Sequence, residues 1–106
     1  MHREKKHKMR STQDILALLD GFMPYAENHY GIKRIGVFGS VARGEQNDDS
    51  DVDICYEGRA LSFLTMDLFQ SELEKLLGCK VDTVRVRDNM NPVLRKRIRK
   101  EGVYVR

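Results

Sequence analysis

Apolar residues recur along the chain first at helical and then at strand spacing, and the change of period outlines a series of elements. Ser11-Thr12-Gln13-Asp14 has the form of a capping box, and Ile15, Leu16, Leu18, Leu19, Phe22 and Met23 then fall on one helical stripe. Pro24 removes a backbone donor and predicts a kink or a restart, with Ala26 and Tyr30 continuing the buried face until Gly31 ends it. Lys33 to Gly39 is a short run of β-branched and aromatic residues closing on glycine, hence a strand. After the turn residues Glu45 to Ser50, Asp51-Val52-Asp53-Ile54-Cys55-Tyr56 begins with the polar–apolar alternation of a second strand.

Leu64, Leu68, Phe69, Leu73, Leu76 and Leu77 then repeat at helical intervals from Ser62 onward, and Gly78 supplies a stop. Val81 to Val86 reads as a third strand. Asn91 can cap and Pro92 can start a third helix with Val93, Leu94 and Ile98 as its apolar positions, and Gly102 releases Val103-Tyr104-Val105 as a last strand. The order α, β, β, α, β, α, β, without a repeat or low-complexity linker, predicts one α/β unit over residues 11–106 behind a basic tail at 1–10. The long helix between the second and third strands allows a parallel or mixed sheet and leaves the strand order open.

At 106 residues, 41% hydrophobic and 33% charged, the chain has the composition of a single globular domain with an economical core. A deep, self-sufficient substrate cavity is not expected. No apolar run approaches the ~20 residues of a membrane-spanning helix. The first residues lack the apolar stretch of a signal peptide, so a cytoplasmic location without membrane attachment is expected. Cys55 and Cys79 have neither metal-binding nor redox spacing and are expected to be reduced.

The net charge of +3 hides a partition. Residues 1–10 carry Arg3, Lys5, Lys6, Lys8 and Arg10 against Glu4, and residues 93–106 carry six cations against Glu101, so the middle of the chain is acidic. Cationic ends can attract an acidic protein, a polyphosphate or nucleic acid, or can be merely solvated. An acidic middle between them suits a metal site.

The candidate chemistry lies in Gly39-Ser40-Val41-Ala42-Arg43-Gly44 and, beyond a polar spacer, Asp51-Val52-Asp53. Gly39 lets a phosphate approach the backbone, and Ser40 offers a hydroxyl and an amide where a strand gives way to a turn. Arg43 is suited either to reach a phosphate or to brace Asp51 or Glu45. Side chains alternate along a strand, so Asp51 and Asp53 share a face, and two converging carboxylates call for a hard divalent cation. Asp82 is a third acid, in a largely apolar strand. If the third strand lies beside the second, Asp82 joins the pair; otherwise Lys80 or Arg85 is its natural partner.

These residues together resemble the minimal nucleotidyltransferases of the DNA polymerase β-like superfamily. That signature is Gly-Ser, a spacer of about ten residues and Asp-x-Asp, matched here by Gly39-Ser40, Val41 to Ser50 and Asp51-Val52-Asp53; Ala42-Arg43-Gly44 matches the usual continuation. The resemblance implies a small mixed sheet with helices packed on it. It implies transfer of AMP from ATP, with Mg²⁺ held by Asp51, Asp53 and Asp82, and with Gly39, Ser40 and Arg43 at the nucleotide. Many members of this size resemble the antitoxin half of HEPN/MNT toxin–antitoxin pairs, which implies a tyrosine of a HEPN-type toxin as acceptor. A binding module acting by contact alone, on a toxin or on nucleic acid, is the alternative from another class, and an antibiotic-modifying transferase is a third. The histidines His2, His7 and His29 show no ligand spacing, and Tyr25, Tyr30, Tyr56 and Tyr104 are scattered as core or interface aromatics are.

Overall fold

A computed structural model describes residues 11–45 and 51–105, and its seven elements follow the predicted order. They are α1 (Thr12–Tyr30), β1 (Ile32–Phe38), β2 (Val52–Gly58), α2 (Phe63–Leu77), β3 (Val81–Arg85), α3 (Pro92–Glu101) and β4 (Val103–Tyr104). The four strands form one mixed sheet in the order β3-β2-β1-β4. β1 runs antiparallel to both β2 and β4, whereas β2 and β3 are parallel and joined through α2, the kind of crossover that parallel neighbours require.

The helix ends carry the predicted chemistry. Ser11 Oγ accepts from the Asp14 amide at 3.1 Å, and Asn91 Oδ1 accepts from the Val93 and Leu94 amides. Gly31 and Gly78 close α1 and α2 in left-handed conformations. Pro24 does not restart the helix: α1 is continuous through it. One missing N–H is a local cost, and Leu19, Met23, Ala26 and Tyr30 on either side are buried and hold the helix to the sheet.

Alternation along β2 divides the interior in two. Val52, Ile54 and Tyr56 face α1 and α2, joining Ile15, Leu19 and Met23 with Ile35, Val37, Phe69 and Leu73 in the main core. Cys55 faces the other way, into a smaller cluster with Phe38, Met90 and Ile98 that α3 covers. Tyr30, Phe69 and Tyr56 pack in a row through the main core, tilted and edge-to-face, with ring centroids 5.1 and 5.2 Å apart. Tyr25 and Tyr30 both donate to the Glu72 carboxylate, at 2.9 and 2.5 Å, tying α1 to α2.

The apolar stripes are narrower than the sequence predicts. On α2 the buried positions are Phe69, Leu73 and Leu77, while Leu64 and Leu68 are 84% and 53% exposed. The first turns of α2 keep the helical period but stand clear of the sheet. Val93 on α3 is exposed as well, leaving Ile98 as that helix's fully buried residue.

Candidate functional site

β1 ends at Phe38, and Gly39 turns the chain in a left-handed conformation (φ 73°) that other residues rarely adopt. A Cβ at Gly39 would strike the Asp53 carboxylate, so glycine here also lets the acid lie against the turn. The turn is braced from within: the Arg43 amide donates to the Gly39 carbonyl at 3.2 Å and the Glu45 amide to the Ser40 carbonyl at 2.8 Å. Buried Val41 anchors it in the main core, and Thr12 Oγ1 donates to the Val41 carbonyl at 2.6 Å. Ser40 sits half-buried at its apex. The rest of the polar spacer, residues 46–50, lies outside the described residues.

The parallel pairing of β2 with β3 places Asp53 in register with Asp82. Both point to the face that α3 covers, because their neighbours Cys55 and Val84 pack into the α3 cluster. Asp51, two residues before Asp53, precedes β2 and is exposed. Burial, and then the negative charges of Asp82 and Asp51, push the Asp53 carboxyl above its ordinary range, opposed by the nearby Arg97 and Arg43. The expected adjacency of Asp82 and Asp53 is therefore present. Arg85, weighed as a partner for Asp82, instead donates to the Gly58 carbonyl at 3.0 Å.

The close triad imagined around one ion is not formed: among the described residues no three acidic, histidine or cysteine side chains gather tightly enough to ligate a metal. Asp51 stands outside the paired strands, exposed to solvent. The donor set nevertheless suits a hard divalent cation, since Asp53 lies in the field of two further carboxylates, Asp82 and Asp51, which Arg97 and Arg43 oppose.

Arg43 braces rather than reaches. Its Nε lies 2.9 Å from Glu45 and its Nη1 3.1 Å from Glu101, which sits at the end of α3. Glu101 also accepts from the Gly39 amide at 3.2 Å and lies 3.7 Å from Arg97 Nε. Sequence reasoning did not single out Arg97 or Glu101. Both lie in a run of charges that reads as a solvated helix face, and only the return of the chain into β4 beside β1 brings that end of α3 to the turn.

The remaining expectations follow packing. Cys55 is buried, with burial pushing its thiol up to about 11, and neither Cys55 nor Cys79 forms a disulfide. Tyr30 and Tyr56 are core residues, Tyr25 stacks on His29 at the surface, and Tyr104 lies under the Arg34 guanidinium at 3.8 Å. His2, His7 and the rest of the basic N-terminal segment lie outside the described residues. No helix among the described residues is long and apolar enough to cross a membrane.

Residues 22–106 match the family model described as "Polymerase beta, Nucleotidyltransferase". A relative named protein adenylyltransferase MntA, from Thermococcus cleftensis, is 35% identical over 98 residues, covering 92% of this chain and 98% of its own. A solved structure described as a minimal nucleotidyltransferase is 33% identical, with a TM-score of 0.74 over 89% of this chain and 95% of that one. A toxin–antitoxin structure with AMP-PNP is 25% identical and superposes with a TM-score of 0.68, covering 91% of this chain and 73% of that one.

Proposed function

This chain belongs to the polymerase beta nucleotidyltransferase family, and on that premise we propose that it transfers AMP from ATP to a tyrosine hydroxyl of a HEPN-type toxin, as the antitoxin of the pair. The observation that carries the reading is the in-register Asp53–Asp82 pair beside the Gly39–Ser40 turn. The relative that bears the name protein adenylyltransferase, and the toxin–antitoxin structure that holds an ATP analogue, support the substrate and the partner.

Asp51, Asp53 and Asp82 would hold Mg²⁺, which when bound neutralises triphosphate charge and polarises the α-phosphate. Ser40 would donate to a phosphate oxygen from the turn after β1, as amides and hydroxyls at such turns do. The tyrosine oxygen forms a bond to the α-phosphorus while the bond from that phosphorus to the bridging oxygen breaks, and pyrophosphate leaves. Asp82, exposed at the edge of the sheet, would accept the hydroxyl proton as the new bond forms. A protein acceptor brings its own docking area, which a domain this small does not need to supply. The basic ends gain no support as a nucleic-acid site from the relatives found.

Mass spectrometry of the partner after incubation with this chain, ATP and Mg²⁺ tests the proposal. An AMP adduct on a tyrosine, absent with Asp53→Ala, is the expected result. Tight partner binding without an adduct under any nucleotide or divalent metal would replace it with inhibition by contact.

A further inference from the structure

Glu101 is electrostatically misplaced on its own helix. It is the last residue of α3, where the helix dipole presents its negative end and favours cations, as Arg99 and Lys100 beside it illustrate. Its carboxylate is nevertheless only 20% exposed and points back across the sheet to residues far away in sequence. There it accepts from the Gly39 amide at 3.2 Å and pairs with Arg43 Nη1 at 3.1 Å, while Arg97, one turn back on its own helix, brings Nε to 3.7 Å. One backbone amide at a left-handed turn and two guanidinium groups converging on one anion is the donor set by which proteins hold a phosphate. The anion present is a side chain, and two of its partners border Asp53: the position a Cβ would take on Gly39 is against the Asp53 carboxylate and 3.5 Å from Arg97 Nη2.

We propose that Glu101 stands in for a phosphate group of the nucleotide, keeping the Gly39 amide, Arg43 and Arg97 assembled in its absence and yielding them to the polyphosphate when it arrives. The inference rests on the nucleotidyltransferase reading above and adds two residues to it. Arg97 becomes a phosphate-binding residue, and Glu101 a positioning residue that competes with substrate. The exchange replaces one negative charge with the several of a polyphosphate, and the two arginines keep an anionic partner throughout. Arg97 is suited to the change of partner because its guanidinium also approaches the Phe38 ring, at 5.6 Å, which limits how far it swings when Glu101 leaves.

Calorimetric titration of the full chain with Mg·ATP, and separately with Mg·tripolyphosphate, tests this without relying on turnover. Tripolyphosphate isolates the phosphate cradle from any contact with adenosine. Glu101→Ala is expected to tighten both ligands about three- to tenfold, Arg97→Ala to weaken both about tenfold, and Glu101→Gln to fall between wild type and Glu101→Ala because it keeps an acceptor for the Gly39 amide but loses the charge. A merely structural carboxylate would give the opposite sign, since its removal would loosen the turn and weaken binding. If wild type binds and Glu101→Ala binds equally or less well, this inference falls while the proposed function stands. If neither wild type nor any variant binds either ligand, both fall. Binding by Glu101→Ala alone is the expected result at its limit. Should Glu101→Ala fail to fold, Glu101→Gln carries the same comparison with the same signs.

Discussion

The two faces of the sheet are built to different standards. The face under α1 and α2 is a continuous apolar core in which three aromatic rings pack tilted and edge-to-face and two tyrosines close over Glu72. The face under α3 has one small cluster around Phe38, Cys55, Met90 and Ile98, and beyond it the strand positions carry Asp53 and Asp82 instead of apolar side chains. The same strand serves both, because β2 alternates Val52, Ile54 and Tyr56 with Asp53 and Cys55. One face holds the fold and the other spends packing on chemistry, so substitutions on the two faces should fail in different ways.

The largest effect is expected in the main core. Phe69→Ala removes the ring between Tyr30 and Tyr56 and is expected to cost about 3–5 kcal/mol, enough to unfold much of the population of a domain this small. Chemical denaturation measures it. Ile98→Ala, in the smaller cluster, should fall at the low end of the ~2–5 kcal/mol range for such truncations, because fewer buried neighbours surround it. Equal costs at the two sites would erase the distinction between the faces.

Asp53→Asn should show the reverse pattern. On the proposed function Asp53 helps to organise the triphosphate, and its loss is expected to lower transfer about a thousandfold, on the scale of several kcal/mol. Stability should rise, because burial, Asp82 and Asp51 hold the folded carboxyl above its ordinary pKa. A carboxyl raised in this way favours the folded state when protonated and loses that contribution as pH rises through the raised value. At neutral pH the variant should therefore melt roughly 2–4 °C higher, a small gain since a half-exposed carboxylate is screened by solvent. The gap should narrow as pH falls through the carboxylate range. Melting curves at pH 7 and pH 4 check both halves, and a variant less stable at pH 7 would mean that Asp53 serves the fold.

Much of this division is legible in the sequence, and what is not has a common cause. Caps at Ser11 and Asn91 and stops at Gly31 and Gly78 are local, set by residues within one turn. The strand order, the pairing of Asp53 with Asp82 and the meeting of Glu101 with Gly39 depend on how distant segments return. Periodicity marks Leu64 and Leu68 as apolar positions of a helix but does not say where the sheet beneath them ends. Pro24 is a strong local signal that burial of its neighbours overrides.

A smaller effect separates the polar tie of the main core from its apolar body. Tyr30→Phe removes one hydrogen bond to Glu72 while Tyr25 keeps the other, for an expected cost of about 1 kcal/mol. Burial, and then the Glu72 carboxylate, hold the Tyr30 hydroxyl protonated well above the ordinary tyrosine range. The wild-type contribution is thus complete at neutral pH and is lost as pH rises past about 10, where the unfolded chain ionises. Denaturation at pH 8 and pH 10.5 should find the variant less sensitive to alkali than wild type.

The smallest expected effect returns to the site and asks how finely the α3 face divides its labour. Ser40 shares the turn with Gly39, but its carbonyl is already bound by the Glu45 amide, and the turn is anchored by Val41 and by the Arg43 amide. Ser40→Ala should therefore leave the turn and the melting temperature unchanged, removing only the hydroxyl proposed to meet the nucleotide. One neutral hydrogen bond is worth about 0.5–1.5 kcal/mol, so transfer should fall by about two- to tenfold, far less than with Asp53→Asn. If the bond is made equally in ground and transition states, the loss appears in the KM for ATP with kcat preserved. Steady-state kinetics on the two variants settles the ranking. A Ser40→Ala chain less active than Asp53→Asn would move the centre of the chemistry from the strands to the turn, and the contrast between the two faces would then concern stability alone.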